Sequence, residues 1–175
     1  QATALTFEGA VYDLGSLDDK AKTYLALVAK IKIKENNYRD DALSEIEEQL
    51  GTYTTPRCMM TSEQLISLQE QGHTIGAHTV THSILSYQPD NIAKQEIVDS
   101  VNELNRFLPR PINFFAFPNG WYGKDFTLKH ENMLLECGIK YGVATNDGGI
   151  TKSTRLTCLP RFMPHRKAFN QFCIS

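Results

Sequence analysis

Apolar residues recur along this chain with a helical period at first, and the pattern changes near residue 55. Tyr24, Leu25, Val28 and Ile31 fall on one stripe and predict a helix over residues 21–34. Leu43, Ile46 and Leu50 share a face in a second helix over residues 40–50, with Gly51 as its stop. Residues 4–14 read as a short strand or a hairpin. From Thr61 onward helix and strand alternate. Thr61 with Gln64 is a capping-box signature, in which each side chain satisfies a backbone donor at a helix start. Leu65 and Leu68 give that helix its apolar stripe and Gly72 closes it; a strand over residues 73–78 follows at once. Pro89 favours the first turn of a helix over residues 90–108, where Ala93, Ile97, Val101, Leu104 and Leu108 repeat at helical spacing. A short apolar strand over residues 113–117 stops at Pro118-Asn119-Gly120. A helix over residues 125–137 ends at Gly138, and strands are predicted over residues 139–145 and 156–162. Residues 168–175 read as the start of another helix.

Two junctions share one layout. In Gln71-Gly72-His73-Thr74-Ile75-Gly76-Ala77 and in Cys137-Gly138-Ile139-Lys140-Tyr141-Gly142-Val143, a helix ends on glycine, a strand starts, and a second glycine sits inside the strand. This is the repeated helix-to-strand junction of a parallel sheet, and the inner glycine marks a crowded backbone approach. Four strands separated by helices predict an α/β sheet or barrel. In such folds the chemistry gathers at the C-terminal ends of the strands. That rule singles out His78, Pro118-Asn119-Gly120, and the stretches after Thr145 and Phe162.

Composition narrows the picture only a little. The 175 residues are 41% hydrophobic and 22% charged, an ordinary globular profile with enough chain for a sizeable core. A net charge of -2 offers no basic footprint, so nucleic acid is not an expected partner. No apolar run approaches the ~20 residues that cross a bilayer. The cysteines, Cys58, Cys137, Cys158 and Cys173, form no C-x-x-C pair and read as reduced and mostly buried, which leans towards the cytoplasm. An extracytoplasmic place fits if a signal peptide has been removed.

His78 is expected at the end of its strand, with His82 four residues on. If the chain turns helically there, both imidazoles project to one side and can share one ion. Thr79 and Thr81 can hold the turn or hydrogen-bond the far ring nitrogens. The alternative is a solvated or packing pair. No glutamate stands beside the histidines as in H-E-x-x-H, which argues against a zincin protease. His130 falls within a predicted helix and is expected at the surface.

The stretch from Thr61 through Gly72-His73-Thr74-Ile75-Gly76-Ala77-His78-Thr79-Val80-Thr81-His82 resembles the second motif region of the NodB-type polysaccharide deacetylases, carbohydrate esterase family 4. That motif is H-[ST]-x-x-H after a helix ending in G-H-E-I-G. The resemblance implies that His78 and His82 are metal ligands; His73 matches only the flank and reads as structural. Phe114-Phe115-Ala116-Phe117-Pro118-Asn119-Gly120 is similar to the F-A-Y-P-[YF]-G form of the third motif, a groove wall whose backbone N–H after the proline helps hold an oxyanion. By that likeness Asn119 supplies the N–H, and Pro118, Trp121 and Tyr122 line the substrate groove. A plain strand-ending turn is the other reading of Pro-Asn-Gly, and a core position the other reading of Trp121. Leu159-Pro160-Arg161 resembles the strand near the last motif. Arg161 is a candidate to orient a carboxylate or bind substrate. His165 is the nearest histidine to the family's L-x-H, as a general acid or a solvated loop residue.

The first motif, T-F-D-D-G, is missing. Thr6-Phe7-Glu8-Gly9 imitates it without the paired aspartates, so Glu8 is a candidate substitute ligand; the preferred reading places the motif upstream of Gln1. The fold implied is an incomplete, distorted (β/α) barrel, with residues 1–55 a mainly helical insertion and residues 56–175 the C-terminal part of the deacetylase core. The activity implied is metal-dependent removal of acetyl groups from N- or O-acetylated sugars, with zinc, cobalt or nickel as cofactor. A catalytically incomplete carbohydrate-binding or scaffold domain is the alternative. Oligomeric state is not legible.

Overall fold

The computed structural model describes residues 2–51 and 58–162. The expected boundary near residue 55, Cys173, His165 and the helix over residues 168–175 lie outside the described residues.

The first segment is a hairpin, β1 (Ala4–Phe7) and β2 (Ala10–Asp13), paired antiparallel with Phe7 opposite Ala10. Glu8 and Gly9 turn it, both with positive φ (49° and 74°), the signature of a two-residue turn matched to strand twist. Leu5 and Phe7 alternate inward. Helix α1 (Leu17–Ile31) starts earlier than its apolar stripe predicts, because Ser16 and Asp19 form a capping box. Helix α2 (Asn36–Leu50) ends at Gly51 as expected. The predicted stripes are only partly the buried ones. On α1 the inward line is Thr23, Leu27 and Ile31; Tyr24 and Leu25 are two-thirds exposed (66% each). Thr23 satisfies its hydroxyl by donating to the Asp13 carbonyl at 2.9 Å. Phe7, Ile31 and Ala42 form a small core with Tyr12, Leu27, Tyr38 and Ile46. Tyr24, Val28, Leu43 and Leu50 instead line an open cleft of about 660 Å³.

The second segment is a βαβαβ arrangement. After α3 (Ser62–Glu70), whose Thr61–Gln64 capping box forms as predicted, come β3 (Gly76–Ala77), α4 (Asp90–Phe107), β4 (Phe114–Ala116), α5 (Leu128–Glu136) and β5 (Tyr141–Val143). The three strands pair parallel in the order β3-β4-β5, with Ala77 opposite Phe115 and Phe115 opposite Gly142. Ala93, Ile97 and Val101 of α4 pack with Phe115, Phe117, Phe126, Leu134 and Ile139 in one core. The Phe117 and Phe126 rings stack with centroids 3.6 Å apart. Each fully buried side chain of this size contributes about 1.5–3 kcal/mol. The glycines inside the strands do mark close approach. A Cβ on Gly76 would lie 3.0 Å from the Phe114 carbonyl oxygen, and one on Gly142 would lie 2.1 Å from that of Thr157.

The α/β architecture is as expected; no closed barrel forms among the described residues, and the parallel sheet has three strands. Two expectations need correction. The last predicted strand, residues 156–162, is a one-turn 3-10 helix (Leu156–Cys158) followed by a single parallel bridge between Leu159 and Val143. The ladder fails because the next donor, the Arg161 N–H, goes to the Asn146 carbonyl at 3.1 Å, out of register. His130 is buried, at 1% exposure, because it is the third residue of α5 and its Nδ1 accepts from the Thr127 N–H at 3.0 Å. Cys137 and Cys158 are half-buried thiols, and burial pushes both up, away from reactivity; Cys58 is exposed.

Burial pushes the His130 imidazole down to about 4, with Lys129 adding to the effect. The folded chain therefore favours the neutral ring, and as pH falls the unfolded chain takes up the proton first. The stability from this residue is complete above roughly pH 6.5 and is lost as pH falls towards the folded value. His130→Gln keeps a capping-box acceptor and removes the titration. Urea midpoints of the variant should change less between pH 6.5 and pH 4 than those of the parent; parallel curves would count against this account.

Candidate active site

The C-terminal edge of the parallel sheet gathers three of the segments that the strand-end rule selects. His78 follows β3 directly and sits beside Ala116 at the end of β4. Its Nδ1 lies 2.7 Å from the Ala116 carbonyl oxygen. A carbonyl only accepts, so Nδ1 carries a proton, and in the neutral ring the lone pair lies on Nε2. The His82 ring stands edge-on to it, with centroids 4.8 Å apart and planes at 78°. Both histidines are exposed at the surface. Partial desolvation, and then the neighbouring His78, push the His82 imidazole down, towards the neutral form that can ligate a cation.

A regular helical turn does not produce this pairing. Thr79 (φ 60°) and His82 (φ 57°) both occupy the left-handed region, which costs a non-glycine residue on the order of 1–3 kcal/mol. The turn between them is held from outside. Glu96, on the inward face of α4 and 6% exposed, accepts from the Val80 N–H (2.9 Å) and the Thr81 N–H (3.0 Å) through Oε2. Its Oε1 accepts from the Thr81 hydroxyl (2.8 Å) and the Asn36 side-chain amide of α2 (2.8 Å). Arg39 of α2 donates to the Thr81 carbonyl at 2.8 Å, and the Ser83 N–H donates to Thr79 Oγ1 at 3.1 Å. The threonines thus hold the turn, and neither is bonded to a histidine ring nitrogen.

Sequence reasoning missed Glu96, Asn36 and Arg39. For Glu96 a signal existed: it lies between Ala93, Ile97 and Ser100 on the buried face of an amphipathic helix, where an acid needs partners. Asn36 and Arg39 left no such trace, since their contacts are distant in sequence.

The second wall is the loop after β4. Asn119 is exposed with φ 56°, and its N–H has no acceptor among the described residues. The loop is fastened to β5 by the Thr145 N–H donating to the Gly120 carbonyl at 2.8 Å. Pro118, expected to line the groove, is fully buried; Asn119 and Trp121, which follow it, are exposed. Trp121 is 52% exposed, which removes the core reading. Its N–H donates to Asp125 Oδ2 at 2.9 Å, and the Tyr122 N–H donates to Asn146 Oδ1 at 2.8 Å. The Arg155 guanidinium lies 4.7 Å from the Tyr122 ring centroid and forks onto the buried Glu131 carboxylate at 2.9 and 3.0 Å. The Thr157 hydroxyl donates to the same carboxylate at 2.6 Å. The Arg161 backbone reaches this edge through Asn146. His73 is exposed on the opposite side of the sheet, against a cleft that includes Gln69 and Arg110.

Two imidazoles side by side suit a divalent cation, but they are a half-site. Among the described residues no group of three or more His, Cys, Asp or Glu side chains could hold a metal. Glu8 is not a third ligand: it is held in its own cluster, where Tyr38 and then Lys30 push its carboxyl down, with Lys30 Nζ at 3.2 Å.

The sequence profile of the polysaccharide deacetylase family matches residues 4–141, and the chain belongs to that family. Solved structures of similar fold include the deacetylase PplD of Streptococcus pyogenes in complex with acetate. It shares 23% identity over 66% of this chain and 47% of its own, with a TM-score of 0.53. The BpsB deacetylase domain from Bordetella bronchiseptica shares 16% identity over 59% of this chain and 48% of its own, with a TM-score of 0.50. The chain thus spans about half the length of each. No curated protein sequence matches it.

The Ala116 contact fixes a measurable tautomer. In ring ¹⁵N correlation spectra the neutral form of His78 should show its proton on Nδ1, with Nε2 deshielded as an unprotonated nitrogen. A neutral ring with its proton on Nε2 would contradict the geometry.

Proposed function

We propose that the intact protein is a metal-dependent hydrolase that removes acetyl groups from N-acetylated, or O-acetylated, sugars of a polysaccharide or glycolipid precursor. The observation that carries this is the edge-to-face pair of His78 and His82 at the end of β3, in a chain of the polysaccharide deacetylase family. We read the helical segment α1–α2 with its hairpin as an insertion into that core. Zinc is the ion proposed, and cobalt or nickel suits the same donors. When bound, such an ion supplies Lewis acidity, lowering the pKa of water and polarising a carbonyl.

The chain's own residues supply position and charge. His78 and His82 would hold the ion through Nε2 of His78 and the His82 ring. The uncommitted Asn119 N–H would donate to the acetyl oxygen as it becomes negative; one such donor is commonly worth about 2.7–4 kcal/mol. Trp121 would stack on the sugar face, on a loop stiffened by Asp125 and Asn146. Arg161, at the same edge, would meet substrate oxygens. Water adds across the amide, giving acetate and a free amine; an ester would give acetate and an alcohol.

The test uses the intact protein with N-acetylglucosamine oligomers and an aryl acetate. Chelation should abolish acetate release, and zinc, cobalt or nickel should restore it. His78→Ala and His82→Ala should each lower kcat/KM by more than about 100-fold, beyond the range for outer-shell partners. An unchanged rate in His78→Ala would sink the metal role, and metal binding without acetate release would favour a binding or scaffold function. Trp121→Ala should raise KM by up to roughly tenfold with kcat kept, the equivalent of ~1.4 kcal/mol of lost stacking. A change confined to kcat would place Trp121 outside the sugar subsite.

A further inference from the structure

The buried carboxylate beneath the histidine turn has no place in the chemistry above, yet its contacts are complete. Glu96 offers about four acceptor directions, and four donors use them: the Val80 and Thr81 N–H groups, the Thr81 hydroxyl and the Asn36 amide. The donors come from two places. Three belong to the turn between His78 and His82, and one belongs to α2, 60 residues from Glu96 along the chain. Asn36 Oδ1 also accepts from the Ser83 hydroxyl at 2.5 Å, so its amide bridges Glu96 and the residue that follows His82.

We propose that Glu96 is the positioning residue of the histidine pair, with Asn36 of α2 completing its grip. The proposal rests on the reading that His78 and His82 hold a divalent ion. Two left-handed residues, Thr79 and His82, bracket the turn and would relax to ordinary backbone if nothing held the amides between them. Glu96 pins the two N–H groups at the centre of that bracket. Rotation of this short segment would change the separation of the two rings, and hence the bite offered to an ion. The Ala116 carbonyl orients only His78, so the placement of His82 depends on the turn. The role belongs to the carboxylate itself, because an amide at this position would set its NH2 group against a donor on one of the two sides.

The experiment compares Glu96→Gln, Asn36→Ala and His78→Ala in the intact protein, with thermal melting to confirm folding. Zinc affinity is measured by chelator competition, and the ligand field by the visible spectrum of the cobalt form. Glu96→Gln should bind zinc about 10–100-fold more weakly, the range for residues that orient metal ligands. Its cobalt bands should shift or lose intensity, and kcat should fall with KM for the oligosaccharide unchanged. Asn36→Ala should move affinity and spectrum in the same direction by less, and carries the test if Glu96→Gln does not fold. Parent-like affinity and spectrum in the folded Glu96 variant, or in the Asn36 variant standing in for it, overturn the proposal while His78→Ala still loses zinc. If His78→Ala itself binds zinc as the parent does, the metal reading fails, and the proposal fails with it.

Discussion

A carboxylate removed from water is the constraint around which the candidate site is arranged. Glu96 sits on the buried face of α4 with Ala93, Ile97 and Val101. An ionised group in such a place costs several kcal/mol unless its lone pairs are used. Here they are used by donors that would otherwise be unsatisfied. The Val80 and Thr81 amides belong to neither helix nor strand, and a turn at a sheet edge has no ladder to take them. Two liabilities cancel: the acid needs donors, and the strained turn needs acceptors. The result is a rigid loop placed where the parallel sheet ends.

The sheet supplies the other half of the arrangement. Parallel strands reached by helical crossovers bring all their C-terminal ends to one edge. His78 after β3, Asn119 after β4 and Asn146 after β5 therefore converge although they are far apart in sequence. Close backbone approach at Gly76 and Gly142 keeps these ends near one another, and a side chain at either position would push the adjoining backbone, at Phe114 or Thr157, away. Cross-links then fasten the edge: His78 to Ala116, Gly120 to Thr145, Tyr122 to Asn146. Such a frame lets an exposed donor like the Asn119 N–H stay without an acceptor among the described residues, since the loop cannot fold back to satisfy it.

What was legible in the sequence follows the same physics. The apolar stripe of α4, the Thr61–Gln64 cap and the glycine-marked junctions are local signals, and each appears in the fold. Errors arose where a distant contact overrode a local pattern. The stripe of Tyr24 and Leu25 looked inward, but the hairpin packs on the Thr23–Leu27–Ile31 line, one position away. His130 looked like a surface residue until its capping role turned it inward. The final apolar run could not extend as a strand, since Arg161 finds its acceptor at Asn146. The histidine pair was readable as a motif. The means of holding it was not, because a carboxylate on α4 and an amide on α2 share no sequence pattern with it.

The N-terminal helices change meaning in this light. By their cores the two segments are separate: Phe7, Ile31 and Ala42 pack among themselves, away from the cluster around Phe115. Between them runs a polar seam. Gln88 accepts from the Asn36 N–H at 3.0 Å and donates to the Lys34 carbonyl at 3.1 Å, while Arg39 reaches the Thr81 carbonyl. An apolar seam of this size would add affinity with little directional demand, whereas hydrogen bonds fix distance and angle. The bonds meet the second segment at the histidine turn and at Gln88, just before α4. A displacement of α2 by even an ångström would break the Asn36 and Arg39 bonds and release one side of that turn. The N-terminal segment is thereby built into the geometry of the candidate site.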